Sequence, residues 1–217
     1  MTTIQPPTLV PDSIRRPIAV VVALAAVAFV VLAVHFAGTS TAGNVDTRVD
    51  AVVDPVGMAH RWLVYRGVQL GSPPSVVALA FALSAICLLL GRRRLAVLAI
   101  VGPGLTGVCT TLLKPALGRT IEGGFAFPSG HTGGATSLGL VAALLVISLV
   151  RPRTGGALAI LAAGAVVVGG GVGVAMSAAN LHYPTDTIGG FLTAVVIVCG
   201  VALGLDRLAS RRSTTTG

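Results

Sequence analysis

Apolar residues fall along this chain in six long blocks with almost no charge inside them, separated by polar connections of unequal length. A helix crosses the hydrocarbon core of a bilayer with about 20 mostly apolar residues. The blocks therefore predict spans at 17–37, 76–91, 95–113, 132–150, 155–181 and 187–205. The second is short, and the residues before it (70–75) can lengthen it. The fifth is long, so its last residues are expected to leave the bilayer and feed a loop. The predicted fold class is all-α: a polytopic membrane protein, a six-helix bundle forming one membrane domain over residues 1–217. The connection 38–75 is unusually long for a compact bundle. From 52 to 70 it mixes Val, Met, Trp62, Leu and Tyr65 with His60, Arg61 and Arg66. That mixture suits either a helix lying at headgroup depth or a surface flap with no substrate role. The Ser/Thr-rich tail after Arg212 reads as frayed.

Composition closes off the alternatives. Hydrophobic residues make up 54% of the 217 and charged residues only 10%, against roughly a quarter charged in a soluble domain. A soluble fold, disorder, a coiled coil and a nucleic-acid reader are excluded, even though the formal charge is +8. Cys87, Cys109 and Cys199 all sit in apolar runs and read as small buried hydrophobes, with neither disulfide nor metal-site spacing. Arg15-Arg16 before an apolar run resembles the start of a secretion signal. The run is too long for one, and Ala42-Gly43 is a poor cleavage site, so the first block is read as a retained helix.

Charge placement sets a direction. Arg15, Arg16, Arg92, Arg93, Arg94, Arg151, Arg153, Arg207, Arg211 and Arg212 fall in the N-terminus, the second and fourth connections and the C-terminus. Six spans put those four segments on one side, where only Asp12 and Asp206 oppose them. On the other side Arg48, Arg61, Arg66, Lys114 and Arg119 are matched by Asp46, Asp50, Asp54, Glu122 and Asp186. Basic residues concentrate on the cytoplasmic side, so both termini are expected there.

The remaining chemistry lies on the opposite, external side, in residues 114–131 and 180–186. Singly, each residue has a plain structural role: Lys114 snorkelling from a helix end, Asp186 in a helix's first turn, His131 and His182 at the interface. Together they say more. Pro128-Ser129-Gly130-His131 stands where a loop becomes a helix, with Ser able to cap, Gly admitting a ligand to the backbone, and free N–H groups forming an anion site. Lys114 and Arg119 add fixed positive charge, the planar guanidinium suiting phosphate oxygens. Pro184 can start the last helix, which brings Asp186 close enough to hold one nitrogen of His182 and turn the other outward. Two histidines, one steadied by a carboxylate, beside a cationic cradle suit attack on phosphorus with a second acid for the leaving group.

With these residues the chain resembles the type 2 phosphatidic acid phosphatase superfamily, whose site is shared with vanadium haloperoxidases. That pattern has a Lys followed by Arg-Pro, then Pro-Ser-Gly-His, then Ser-Arg with a later His-x-x-x-Asp. The sequence keeps Lys114, Pro128-Ser129-Gly130-His131 and His182-x-x-x-Asp186 in order, and Gly118-Arg119 matches a Gly-Arg common in the first block. The resemblance implies that His182 forms a phosphohistidine, with Asp186 orienting it and His131 protonating the leaving group. It implies that Lys114, Arg119, Ser129 and the Gly130 N–H hold the phosphate oxygens, with no metal and no cofactor. Two positions depart: Ile121-Glu122 replaces the Arg-Pro, and Ala175-Met176 the Ser-Arg.

The expected activity is hydrolysis of a lipid phosphate or pyrophosphate, with polyprenyl pyrophosphate favoured, at the outer face of a bacterial cytoplasmic membrane. The expected partners are that lipid and the bilayer, not nucleic acid. Three other readings compete. A lipid-phosphate binding or scaffold protein would follow from the missing arginines. A transporter would need intramembrane charge, and the spans hold almost none beyond His35. A haloperoxidase would need the absent arginines. Glycines 169–171 and Gly173 suit either a broken helix or close helix packing, the latter being simpler.

Overall fold

A computed structural model describes residues 8–214. The chain forms α1 (Asp12–Phe36), α2 (Asn44–Ala59), α3 (Arg61–Gly71), α4 (Pro73–Leu89) and α5 (Arg93–Leu117). A two-stranded hairpin, β1 (Thr120–Ile121) and β2 (Gly124–Phe125), leads to α6 (Gly130–Val150). Then come α7 (Thr154–Gly164), a π-helical segment (Ala165–Gly170), α8 (Gly171–Ala178) and α9 (Pro184–Thr214). It is an all-α membrane fold. Five helices are long and apolar enough to cross a bilayer: α1, α5, α6, α9 and the continuous run from α7 through α8. A sixth candidate is the pair α3 and α4, long and apolar enough only when taken together and bent by 64° between them. The expected backward extension through 70–75 is therefore not straight. Ser72 adopts extended backbone and Pro73-Pro74 restarts the helix at its first two positions, where a missing N–H costs nothing.

The helices reach further than the apolar blocks because polar residues at their ends still adopt helical backbone. Lys114, expected in a loop, sits in the last turn of α5. That helix closes on Gly118 in the left-handed conformation (φ 66°), where a residue without Cβ fits. The fifth span leaves its helix at Ala178 and feeds a loop, as its length suggested. Two of its glycines serve close packing against α6. A Cβ on Gly164 would strike the Gly139 carbonyl, and one on Gly169 would strike Thr136. The helix α9 runs past Arg212 to Thr214, and the rest of the tail lies outside the described residues.

The most enclosed helix is α6, flanked by α5, α9 and the α7–π run, with α1 outside α9 and α4 outside α5. Its two ends differ in chemistry. At one end Asp206 accepts the Leu9 and Val10 N–H groups (2.9 Å each) and pairs with Arg94 at 2.9 Å, while Arg92 donates to the Ser148 carbonyl at 3.1 Å. At the other end the N-termini of α6 and α9 meet the C-termini of α5 and α8, and α2 and α3 lie across α8. The stretch 38–75 thus carries two helices. They approach α8 closely because Gly57, Gly67 and Gly71 face Ala178, Ala175 and Val172. Trp62, Leu63 and Tyr65 stay exposed on α3.

Candidate functional site

The site is built where α6 and α9 begin. Ser129 caps α6, its hydroxyl accepting from the Thr132 N–H at 3.4 Å, and its own N–H donates to the Asp186 carbonyl at 3.0 Å. That bond ties the Pro-Ser-Gly-His turn to the first turn of α9. A Cβ on Gly190 would strike the Ser129 carbonyl and one on Gly189 the Phe127 ring, so the two helix starts meet through bare backbone. His131 follows in the first turn of α6, half-buried. A Cβ on Gly71 would fall 3.1 Å from its carbonyl oxygen.

His182 precedes α9 and is 7% exposed. Its Nδ1 stands 3.6 Å from Asp186 Oδ2 and has no hydrogen-bond partner among the described residues. The distance is just beyond a hydrogen bond, as catalytic pairs often are before substrate tightens them. Asp186 itself is fully buried, and Oδ2 accepts the Tyr183 N–H at 3.0 Å. His131 is within electrostatic reach of His182 and Lys114, and Lys114 within reach of Asp186. Two histidines, the lysine and the aspartate are therefore brought together from α5, α6, the first turn of α9 and the loop before it.

Lys114, Gly130 and His131 also line a cavity of about 850 Å³ walled by apolar residues of α4, α5 and α6, among them Val76, Ile100 and Pro103. From Lys114 back to Ile100 on α5 it runs roughly 20 Å at 1.5 Å per residue. A polar mouth on an apolar slot of that length fits an amphiphile with an anionic head.

Arg119, expected among the phosphate-holding groups, is placed otherwise. Its side chain is wholly buried. Nη1 donates to Thr185 Oγ1 (2.6 Å) and Asp186 Oδ1 (2.7 Å), and Nη2 to Asp46 Oδ2 (2.7 Å). Its guanidinium carbon lies 4.0 Å from the centre of the Phe36 ring and 4.5 Å from that of Tyr183. The Ser129 hydroxyl is likewise buried at its cap. Neither departing position supplies another cation: Ile121 sits in β1, and Met176 is buried with Ala135 and Val172. Arg61 is exposed beside a separate cavity and Arg66 lies 5.3 Å from the centre of the Trp62 ring.

Asp46 is the residue that sequence reasoning missed. It is fully buried and accepts the Gly43 N–H and the Thr185 N–H at 2.9 Å each, besides Arg119. Burial alone would raise its carboxyl, but the Gly43 and Thr185 donors and the Arg119 guanidinium together hold it below the usual carboxylate range. One local signal existed, an acid at the third helical position after Gly43, where it can cap; its bond to a residue 73 positions away had none.

The family model described as PAP2 superfamily matches residues 95–208, just over half of the chain and including every motif above. No curated protein and no solved structure matches the chain.

Proposed function

Because the chain belongs to the PAP2 superfamily, whose membership supports phosphatase activity, we propose that it hydrolyses a lipid phosphate or pyrophosphate through a phosphohistidine. The observation that carries the reading is the meeting of Lys114, Gly130 and His131 at the mouth of the apolar slot, with the His182–Asp186 pair in electrostatic reach. The lipid chain lies in the slot and its phosphate faces the histidines. His182 Nε2 attacks phosphorus; an N–P bond forms as the P–O bond to the leaving group breaks, and His131 gives that oxygen its proton. Asp186, facing Nδ1, stabilises the positive charge the ring gains. Water then attacks phosphorus, its proton passing to His131, and the N–P bond breaks to release phosphate. Lys114 and the Gly130 N–H stabilise the charge on the phosphoryl oxygens.

In this reading the site faces outward from a bacterial cytoplasmic membrane, with 38–75 external and polyprenyl pyrophosphate the favoured substrate. The support is the arginine distribution along the sequence and the suitability of an outward site for recycling a cell-envelope lipid carrier. The test is phosphate release by the purified protein in detergent with EDTA, over a panel of lipid phosphates and pyrophosphates, beside His182→Ala. Release that survives EDTA and is lost in the variant is expected. A second reading, a lipid-phosphate binding protein without turnover, draws on Met176 and the buried Arg119, which leave Lys114 with little cationic help. No release from any substrate by folded protein, together with retained lipid binding, would select it.

A further inference from the structure

We infer that Arg119 and Asp46 are positioning residues for the His182–Asp186 pair, which makes α2 part of the catalytic apparatus; this rests on the phosphatase reading above. The argument starts from geometry. Arg119 has no exposed surface, among the described residues its Nη1 and Nη2 donate only to Thr185, Asp186 and Asp46, and Phe36 and Tyr183 approach its guanidinium. Reaching a phosphate would require breaking two ion pairs of 2.7 Å inside protein. Such pairs are costly to open because each partner would be left as a bare buried charge.

The charge count explains why two carboxylates are needed. Arg119 alone beside Asp186 would orient that carboxylate but neutralise it, and a neutral pair does little for a positive charge forming on His182. Asp46 supplies the second carboxylate, so the buried triad keeps one net negative charge. That charge lies 3.6 Å from His182 Nδ1, on Asp186 Oδ2, while Asp186 Oδ1 is held by Arg119. Asp46 also receives the Thr185 N–H, so one residue of α2 fixes both the guanidinium and the first turn of α9. The chain forms this link across 73 residues between Asp46 and Arg119 and 139 between Asp46 and Thr185.

The test compares wild type with Asp46→Asn, nearly identical in shape, Arg119→Met and the double variant, using the best substrate of the panel and inorganic phosphate as product inhibitor. Both single variants should lose about 10–100-fold in kcat, the range seen when an outer partner of a metal-bound histidine is removed. KM and the phosphate inhibition constant should stay within about twofold. The double variant should be no worse than Arg119→Met, because both act through Asp186. Arg119→Lys, which keeps charge without the fork, should recover only part of the rate. Hydrogen exchange supplies a readout independent of turnover and of unfolding: the Tyr183 amide, held by Asp186 Oδ2, should exchange faster in Asp46→Asn while α6 amides stay protected. Wild-type kcat in Asp46→Asn, or an Arg119→Met variant with a raised phosphate inhibition constant and unchanged kcat, would overturn the inference. Absence of activity in wild type would instead count against the phosphatase reading, and the Tyr183 exchange would still decide the positioning claim.

Discussion

A buried carboxylate keeps its charge only where enough donors converge on it, and Asp46 has the N–H groups of Gly43 and Thr185 and the guanidinium of Arg119. With its folded value held below the ordinary one, it contributes stability that is present above the unfolded carboxylate range and lost as pH falls through the depressed value. Asp50, one turn on, goes the other way: burial and the charges of Asp54 and Asp46 push it up, so its protonation on acidification favours the fold. In a detergent melt series from pH 6 to pH 3, wild type should lose Tm more steeply than Asp46→Asn, and an Asp50→Asn background should steepen the contrast. Parallel curves would remove Asp46 from the acid response. Lys114 sets a second test at this scale. It is the one Lys or Arg lining the large cavity among the described residues, and losing one preorganised donor to a phosphoryl group costs ~10²–10³ in rate. Lys114→Ala should therefore lower kcat/KM by about that factor, while Arg61→Ala, exposed beside another cavity, should leave it unchanged in the same assay.

Helix positions were readable from apolar length because a bilayer imposes nearly one length on every span. What decides how the helices sit together is finer, a matter of single atoms. Gly139 on α6 and Gly164 on α7 face each other so closely that a Cβ on either would meet the other's backbone, and backbone cannot rotate aside as a side chain can. Gly164→Ala should cost about 1–3 kcal/mol, the usual range for overpacking, seen as a lower Tm. Gly155→Ala on the same helix, where nothing lies within 4 Å, should be neutral or slightly stabilising. Equal effects would mean that the crossing is looser than its geometry. The same scale explains what the sequence left hidden. The spacing of His182 and Asp186 is local, i to i+4, and could be read directly. The bend at Ser72 is marked locally by Pro73-Pro74, inside a run that hydropathy alone joins to α4, whereas the partner of Arg119 depends on where α2 lands and leaves no periodic trace in the chain. Arg119 could be read as a cation but not as a cation already matched.

The molecule as a whole separates its charge by end. Arg92 and Arg94, with Arg15, gather at the end where Asp206 pins residues 9 and 10, and Arg151 and Arg153 follow α6 out at its C-terminus. The end that holds the histidines balances Arg119 against Asp46 and Asp186 and leaves its other basic residues few and scattered. Positive-inside sorting acts on such an asymmetry, and it is the support for the proposal that the histidine end faces outside. The fold constrains the outcome further, because Gly71 at the end of α3 approaches the His131 carbonyl and Asp46 on α2 pairs with Arg119, so both helices of 38–75 lie on the same side as the histidines. Labelling can read the sidedness directly. In a background with Cys87, Cys109 and Cys199 replaced, a cysteine at the exposed position Arg61 on α3 should react with a membrane-impermeant maleimide on intact cells. One at Arg153, exposed at the opposite end, should react only after lysis. The reverse pattern would turn the site toward the cytosol: the phosphoryl chemistry would stand unchanged, but a lipid carrier dephosphorylated from outside could no longer be its substrate, and the search would move to phospholipids made on the inner leaflet.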